Sequence, residues 1–376
     1  MKKAKILYVN HVSYLGGAEI ALVNFLSRCN RARYEPVVLA PEGALTQELD
    51  AIDIRCEAIP VLPGLNRYTA MRVLHRMPLL WEKARHEQPD LIHGNTNFAA
   101  LYSGILGQLL QIPSLGHIRD IETLGRLGRP LIRKNSALIA ISKAVERYLL
   151  HEQMPPAKIH RIYDGVDLQS YANSAELRKE GSSGPVIGIV GQIGSRKGHI
   201  FLLEALRDLV TDFPALKLWI VGVEPEHSTE HSTQQLRDAI MHWKLQDHVT
   251  FWGFRSDIPD MLRQLDVLAL PSLQEPFGKI VIEAMAIGTA VVASRVGGVP
   301  EIVEDRKSGL LVPPADAAAL RDALALLLSD AELRLKIGLA GQQRVRTHFS
   351  IQRNVAGTEA VYEKLLQARK TELNDH

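Results

Sequence analysis

The chain has 376 residues, a length that predicts two or three domains at about 150 residues per domain. Apolar residues make up 46% and charged residues 23%, which excludes a disordered, collagen-like or disulfide-rich protein. Lys and Arg total 44 against 42 Asp and Glu, and the resulting net charge of +2 gives no reason to expect a nucleic-acid partner.

Short apolar runs alternate with longer helical patterns along the chain, which is typical of βαβ units around parallel sheets. A first helix is predicted over 18–29, after the turn at Gly16-Gly17. The predicted strands of the first half are 5–9, 36–39, 91–93, 114–117 and 137–141.

The second half restarts the same α/β pattern after a polar stretch rich in Gly and Ser. Its predicted strands are 186–190, 216–221, 249–252, 267–270 and 290–293, with a helix over 198–213. We therefore predict an α/β fold of two Rossmann-like, doubly wound parallel-sheet domains facing across a cleft, with ligands at the carboxyl ends of the strands. The predicted bounds are 1–170 for the first domain, 171–185 for a linker, 186–350 for the second domain, and 351–376 for a helix crossing back to the first domain.

Membrane and compartment signals are weak. The apolar run 4–9 is too short for a signal-peptide core, and the nearest approach to a membrane span, 98–110, is interrupted by Gln108. Cys29 and Cys56 have no metal-ligand spacing and are expected to be reduced thiols of a cytoplasmic protein. Segments 67–86 and 126–134 mix basic and apolar side chains, as expected either for peripheral contact with an anionic membrane or for solvated helix faces.

Several familiar motifs are missing from the sequence. There is no G-x-G-x-x-G and no G-x-x-x-x-G-K-[ST], so neither a dinucleotide fingerprint nor a P-loop is predicted. The segment from His227 to His231 matches H-x-x-E-H, but its polar surroundings favour an exposed loop over a zinc site. No D-x-D carboxylate pair is present, and no metal or other cofactor is expected.

The most informative segment is 271–288, which follows a predicted buried strand. Glu275 precedes a helix whose first backbone N–H groups, at 277–279, are suited to bind anionic oxygens. Glu283 lies within the apolar helix, where an unpaired carboxylate is costly, so it either binds a polar ligand such as a ribose diol or is bonded to nearby backbone.

Three further elements precede this segment. The turn 190–198 combines glycines with Arg196 and Lys197, the outline of a diphosphate site or else a basic surface turn. Gly16-Gly17 allows close approach of a ligand, and His117 at a predicted strand end is either a donor to substrate or a structural histidine.

Together these elements resemble the retaining glycosyltransferases of family 4, which have the two-Rossmann GT-B architecture. The resemblance covers nearly the whole chain, and its most specific part is the E-x7-E signature formed by Glu275 and Glu283. The residues at 117–120 and 95–96 are similar to those of family members that build bacterial surface polysaccharides or glycolipids. Further matching segments are 16–19, 91–96, 117–120, 139–142, 165–167, 197–198 and 297–301.

The resemblance implies a role for each matching position. Glu275 would hold the donor sugar beside its anomeric carbon, and His117 would lie near the transferred sugar and the acceptor. The implied donor-binding residues are Gly16, Gly17, Arg196, Lys197, Arg255, Phe277, Gly278, Lys279 and Glu283. Gln192 and Asp164 depart from the family, which often has Arg and Asn there.

The resemblance implies an enzyme of the hexosyl-transferring type. It would move a sugar from a nucleotide diphosphate to a hydroxyl of a glycan or lipid-linked acceptor, with retention and without a metal, in the cytoplasm or at the cytoplasmic face of the membrane. Two alternatives stay open: a nucleotide-sugar epimerase of the same fold, and a catalytically inactive sugar-nucleotide-binding protein.

Overall fold

The computed structural model describes residues 3–65, 68–172, 184–225 and 228–374. Internal contacts divide the chain into two units: unit 1 comprises Met1–Gly165 with Ile351–His376, and unit 2 comprises Val166–Ser350. The division at 165/166 lies five residues before the expected end of the first domain, and most of the expected linker, 171–185, is outside the described residues.

Unit 1 is built around a parallel sheet with the strand order β3-β2-β1-β4-β5-β6-β7. Its strands are β1 (Ala4–Val9), β2 (Tyr34–Ala40), β3 (Arg55–Ala58), β4 (Leu91–Gly94), β5 (Ser114–Ile118), β6 (Ala137–Ala140) and β7 (Ile159–Arg161). Its helices before residue 165 are α1 (Gly17–Arg28), α2 (Ala44–Ala51), α3 (Ala70–Glu87), α4 (Asn97–Leu110), α5 (Gly125–Ile132) and α6 (Lys143–His151).

Unit 2 has a second parallel sheet, with the order β10-β9-β8-β11-β12-β13. Its helices are α7 (Leu168–Ala172), α8 (His199–Asp212), α9 (Ser232–His242), α10 (Ile258–Arg263), α11 (Lys279–Ile287), α12 (Val299–Ile302), α13 (Ala317–Ser329) and α14 (Ala331–His348). Its strands are β8 (Val186–Val190), β9 (Lys217–Val221), β10 (Val249–Gly253), β11 (Val267–Leu270), β12 (Ala290–Ser294) and β13 (Leu310–Val312).

Apolar runs account for the central strands of both sheets, since strands covered by helices on both faces are buried along their whole length. All residues of β8, β11 and β12 are buried, for example. The prediction of two doubly wound parallel sheets is confirmed, and the expected central strands are observed within two residues at each end. The strands that the sequence did not predict are β3, β7 and β13, each of which is short and lies at a sheet edge.

The last helix, α15 (Ile351–Asn374), belongs to unit 1. Its buried side chains Val355, Val361 and Tyr362 join the core formed with α1 and the sheet. Within the described ranges, no helix is long and apolar enough to cross a bilayer.

Candidate functional site

Two loops meet at the carboxyl edge of the unit 2 sheet, one after β8 and one after β11. The backbone N–H of Leu273 donates to the carbonyl oxygen of Arg196 at 2.8 Å. Gly198 has φ +66°, and a Cβ there would overlap the carbonyl oxygen of Pro271, so only glycine permits this close packing. The structure thus joins the Lys-Gly turn to the segment that carries Glu275.

Glu275 accepts hydrogen bonds from side chains of both loops. Its Oε2 lies 2.6 Å from Nζ of Lys197 and 3.3 Å from Oγ of Ser272. The residue is only 7% exposed, whereas the Lys197 side chain keeps 22% of its surface in solvent. A nearly buried carboxylate requires such a partner, and Lys197 is the cation that satisfies it.

The Gly-Gly pair at 297–298 supports the backbone of Glu275. Gly298 N–H donates to the Glu275 carbonyl at 3.0 Å, and a Cβ on Gly297 would overlap that same oxygen. Gly297 has φ +52°, a left-handed conformation that further favours glycine. The position of the carboxylate is therefore fixed by a second segment of unit 2.

Glu283 lies one turn along α11 from Lys279, whose Nζ is 3.7 Å from its Oε1. The Tyr171 hydroxyl of α7 donates a hydrogen bond to the Glu283 carboxylate; burial, together with this carboxylate, raises the pKa of the phenol. Side-chain groups thus engage Glu283, which is 12% exposed, in the absence of a ligand. Tyr171 was missed at the sequence level because a single aromatic residue carries no motif.

The helix α11 begins four residues after Glu275, with Lys279 as its first residue. Gly278 precedes it with φ +105°, a left-handed conformation that favours glycine. The Phe277 side chain is buried edge-on against Phe349, with ring centroids 6.0 Å apart, so any contact of Phe277 with a ligand falls to its backbone.

Arg196 and Arg255, the two arginines expected to bind the donor, differ in their surroundings. Arg196 is exposed on the turn before Lys197. Arg255 is held by Asp257, at 2.8 and 2.5 Å, and its guanidinium lies 5.6 Å from the Trp252 ring centroid.

The H-x-x-E-H segment stabilises a neighbouring turn through Glu230. His227 is outside the described residues, but Glu230 accepts hydrogen bonds from the backbone N–H and hydroxyl of Ser195, at 2.7 and 3.0 Å. This carboxylate therefore braces the turn that leads to Lys197.

In unit 1, Gly16 and Gly17 form the start of α1. The N–H of Gly16 donates to the Glu19 carboxylate at 3.1 Å, so the third residue of α1 satisfies the backbone donor that precedes the helix. A Cβ at Gly17 would meet no described atom within 4 Å, so the packing of the protein leaves open space beside this residue.

His117 lies in β5 and is 4% exposed, and its ring is stacked on that of His93 with the centroids 5.5 Å apart. Side chains two apart on a strand share a face, and Leu115 faces the unit 1 core, so His117 faces that core too. Burial, assisted by Arg119, lowers the pKa of His117 far below its usual value.

Asp164, one of the departures from the family, forms a buried ion pair with Arg119 at 2.8 Å. Arg119 also donates to the carbonyl oxygen of Asn95 at 2.9 Å. The charge at 164 is therefore matched by a cation at the end of β5. The Arg-Asp dipeptide at 119–120 did not predict this ion pair, because Arg119 and Asp164 are 45 residues apart in the sequence.

Comparisons with known proteins cover both units. The profile of Glycosyltransferase Family 4 matches residues 15–170, and that of Glycosyl transferases group 1 matches residues 173–344. A D-inositol 3-phosphate glycosyltransferase of Jonesia denitrificans is 31% identical, over 95% of this chain and 90% of its own length. The lipopolysaccharide core biosynthesis mannosyltransferase LpsB of Rhizobium meliloti is 25% identical, over 93% of this chain and 98% of its own.

A solved structure agrees with these matches. Anabaena Alr3699/HepE, crystallised in complex with UDP-glucose, superimposes with a TM-score of 0.83 at 26% identity, over 96% of this chain and 99% of that one. The matched profiles, the relative at 31% identity and the shared architecture agree: this chain is a glycosyltransferase that belongs to family 4 and has the GT-B fold.

Proposed function

We propose that the protein transfers a hexosyl-type sugar from a nucleotide diphosphate to a hydroxyl acceptor, with retention at the anomeric carbon and without a metal. The observation that carries this proposal is the 2.6 Å pair of Lys197 and Glu275, contributed by two different loops at one sheet edge. A sugar diphosphate needs a cation for its phosphates and an acceptor for its hydroxyls, and this pair offers both.

Donor binding would redistribute the contacts of this pair. The diphosphate takes up Lys197, and a sugar hydroxyl replaces the ammonium as the donor to Glu275. As the glycosidic bond breaks, negative charge grows on the leaving phosphate, where Lys197, Arg196 and the amides of 277–279 stabilise it. The departing phosphate oxygen then accepts the proton of the incoming hydroxyl, on the same face of the sugar.

The nucleoside part of the donor has partners in unit 2. Glu283 accepts the ribose hydroxyls in place of the Tyr171 phenol, and Arg255 lines the base pocket. The open space beside Gly17 suits a phosphate or sugar group approaching the N-terminus of α1. We assign no direct substrate contact to the enclosed His117. The complexes of Alr3699/HepE with UDP-glucose support a nucleotide-sugar donor.

The test is turnover of a panel of nucleotide sugars, with release of nucleotide diphosphate measured with and without glycan or lipid-linked acceptors. We expect acceptor-dependent release by the native protein and none by Glu275→Gln, while Glu332→Gln, at an exposed position of α14, stays active. NMR of the product reads the anomeric configuration. An epimerised sugar nucleotide without acceptor would indicate an epimerase, and donor binding without any conversion would indicate an inactive binding protein.

We further propose that the acceptor side works at an anionic membrane surface, on the cytoplasmic face, with α3 in contact. Met71 and Leu74 on this helix are 75% and 64% exposed. Arg72 and Arg76 lie within the same two turns, while Val73 faces the core. Exposed apolar side chains beside basic ones suit a lipid-water interface with anionic headgroups. Arg67 of the predicted segment is outside the described residues.

Co-sedimentation with vesicles tests this surface. The native protein should sediment with phosphatidylglycerol-containing vesicles and not with phosphatidylcholine alone. Met71→Ser/Leu74→Ser should abolish sedimentation, while Leu335→Ser, at an exposed position of α14, should not. Equal sedimentation of the α3 variant and the native protein would contradict a membrane role for α3.

A further inference from the structure

A small internal cavity lies inside unit 1, between the carboxyl ends of β4 and β5 and the helices α1 and α15. Its volume is about 10 Å³, close to the least space that holds one water molecule. All of its lining residues are buried: Leu22, Phe25, His93, Asn95, His117, Arg119, Asn354 and Thr358.

Three polar atoms of this lining have no hydrogen-bond partner in the described part of the chain. They are Nε2 of His93, Nε2 of His117 and Oγ1 of Thr358. Each belongs to a residue less than a tenth exposed, where an unmade hydrogen bond costs free energy. Three unsatisfied groups around one cavity call for one shared partner.

The neighbouring hydrogen bonds favour one tautomer of each histidine. Tyr8 and Tyr362 hydroxyls are 2.9 Å apart, and Tyr362 is 2.6 Å from Nδ1 of His93. When Tyr8 donates to Tyr362 and Tyr362 donates to Nδ1, both phenol protons have an acceptor, and the proton of His93 resides on Nε2.

A different contact favours the same tautomer, with the proton on Nε2, for His117. Its Nδ1 lies 3.4 Å from a guanidinium nitrogen of Arg119, which only donates, so Nδ1 accepts and Nε2 carries the proton. The two imidazole planes are inclined by 14° with centroids 5.5 Å apart. Both histidines line the cavity, so their two Nε2 protons are the donors available to a molecule inside it.

We infer that this cavity is a binding site for a single structural water molecule, held by His93, His117 and Thr358. The water accepts one N–H from each imidazole and donates a proton to Oγ1 of Thr358. It thereby links β4 and β5 to α15.

Two other occupants fit the same atoms less well. A metal cation would need unprotonated imidazole nitrogens, whereas both Nε2 atoms carry protons and Arg119 adds positive charge beside them. An anion would need uncompensated positive charge, but Arg119 is already paired with Asp164.

A high-resolution crystal structure of the full chain tests the site, with a bromide-soaked and a xenon-pressurised crystal beside it. We expect a water peak within hydrogen-bond distance of both Nε2 atoms and of Oγ1 of Thr358. A bromide anomalous peak would overturn the assignment in favour of an anion, and xenon binding without a water peak would overturn it in favour of a dry cavity.

Thermal unfolding gives a solution test. Thr358→Val removes the acceptor of the water proton, and Thr371→Val changes an exposed threonine of the same helix. We expect a larger fall in the unfolding midpoint for Thr358→Val than for Thr371→Val. Equal midpoints in the two variants would contradict it.

Discussion

The coupling between Lys197 and Glu275 is open to a double-mutant cycle. Removing one partner of a buried ion pair costs about 3–5 kcal/mol. We expect about 2 kcal/mol for Lys197→Met, because Lys197 is partly exposed and Ser272 still donates to the carboxylate. Glu275→Gln leaves an ammonium that can rehydrate and should cost about 1 kcal/mol. The double variant should lose about 1.5 kcal/mol in total, a coupling of about 1.5 kcal/mol.

Urea unfolding followed by tryptophan fluorescence measures these changes, since Trp219, Trp243 and Trp252 all lie in unit 2. Additive losses, within about 0.5 kcal/mol, would refute the coupling. Calorimetric titration with UDP adds a functional readout. Glu275→Gln should bind UDP as tightly as the native protein or tighter, because Lys197 is released to the phosphates. Weaker binding of UDP to this variant would contradict the competition we describe.

Three further outcomes follow from the same contacts. Glu283→Gln should raise the dissociation constant of UDP about 10-fold to 100-fold by calorimetry, since it loses charge-assisted bonds of about 1.5–3 kcal/mol to the ribose; unchanged affinity would remove Glu283 from the nucleotide site. Gly297→Ala should lower the unfolding midpoint more than the control Gly253→Ala. Both glycines have positive φ, but only a Cβ at 297 would overlap the Glu275 carbonyl oxygen. Equal midpoints in the two variants would contradict that overlap. Burial, assisted by Lys197, lowers the pKa of His199 to about 4. As the pH falls, this histidine therefore takes up its proton in the unfolded chain before it does so in the folded protein. The folded state should lose about 3 kcal/mol of stability between about pH 6.5 and pH 4. His199→Gln should flatten this dependence in urea titrations, and an unchanged slope would assign it to other groups.

The parallel sheets were predictable because their central strands are continuous apolar runs. The E-x7-E segment was predictable because a carboxylate in an apolar helix is unusual. An edge strand such as β3 was not predictable, since half-exposed residues like Arg55 and Glu57 form no apolar run. The local alternation of β5 contained the signal that His117 faces the core, because Leu115 shares its face.

Contacts between distant segments were beyond sequence patterns. Lys197 and Glu275 are 78 residues apart, and only the packing of two loops, permitted by Gly198, brings them to 2.6 Å. The hydrogen bond from Tyr171 to Glu283 and the pairing of Asp164 with Arg119 likewise depend on tertiary structure. Motifs therefore identified the charged groups of the candidate site, while the fold decides which groups neutralise one another before a ligand binds.

A crystal structure of the full chain with bound UDP-glucose would test the proposed donor site most directly. We expect the diphosphate within hydrogen-bond distance of Lys197 and the amides of 277–279, the ribose hydroxyls on Glu283, and a sugar hydroxyl on Glu275 in place of the lysine ammonium. A nucleotide bound elsewhere, with the Lys197–Glu275 pair intact, would contradict it.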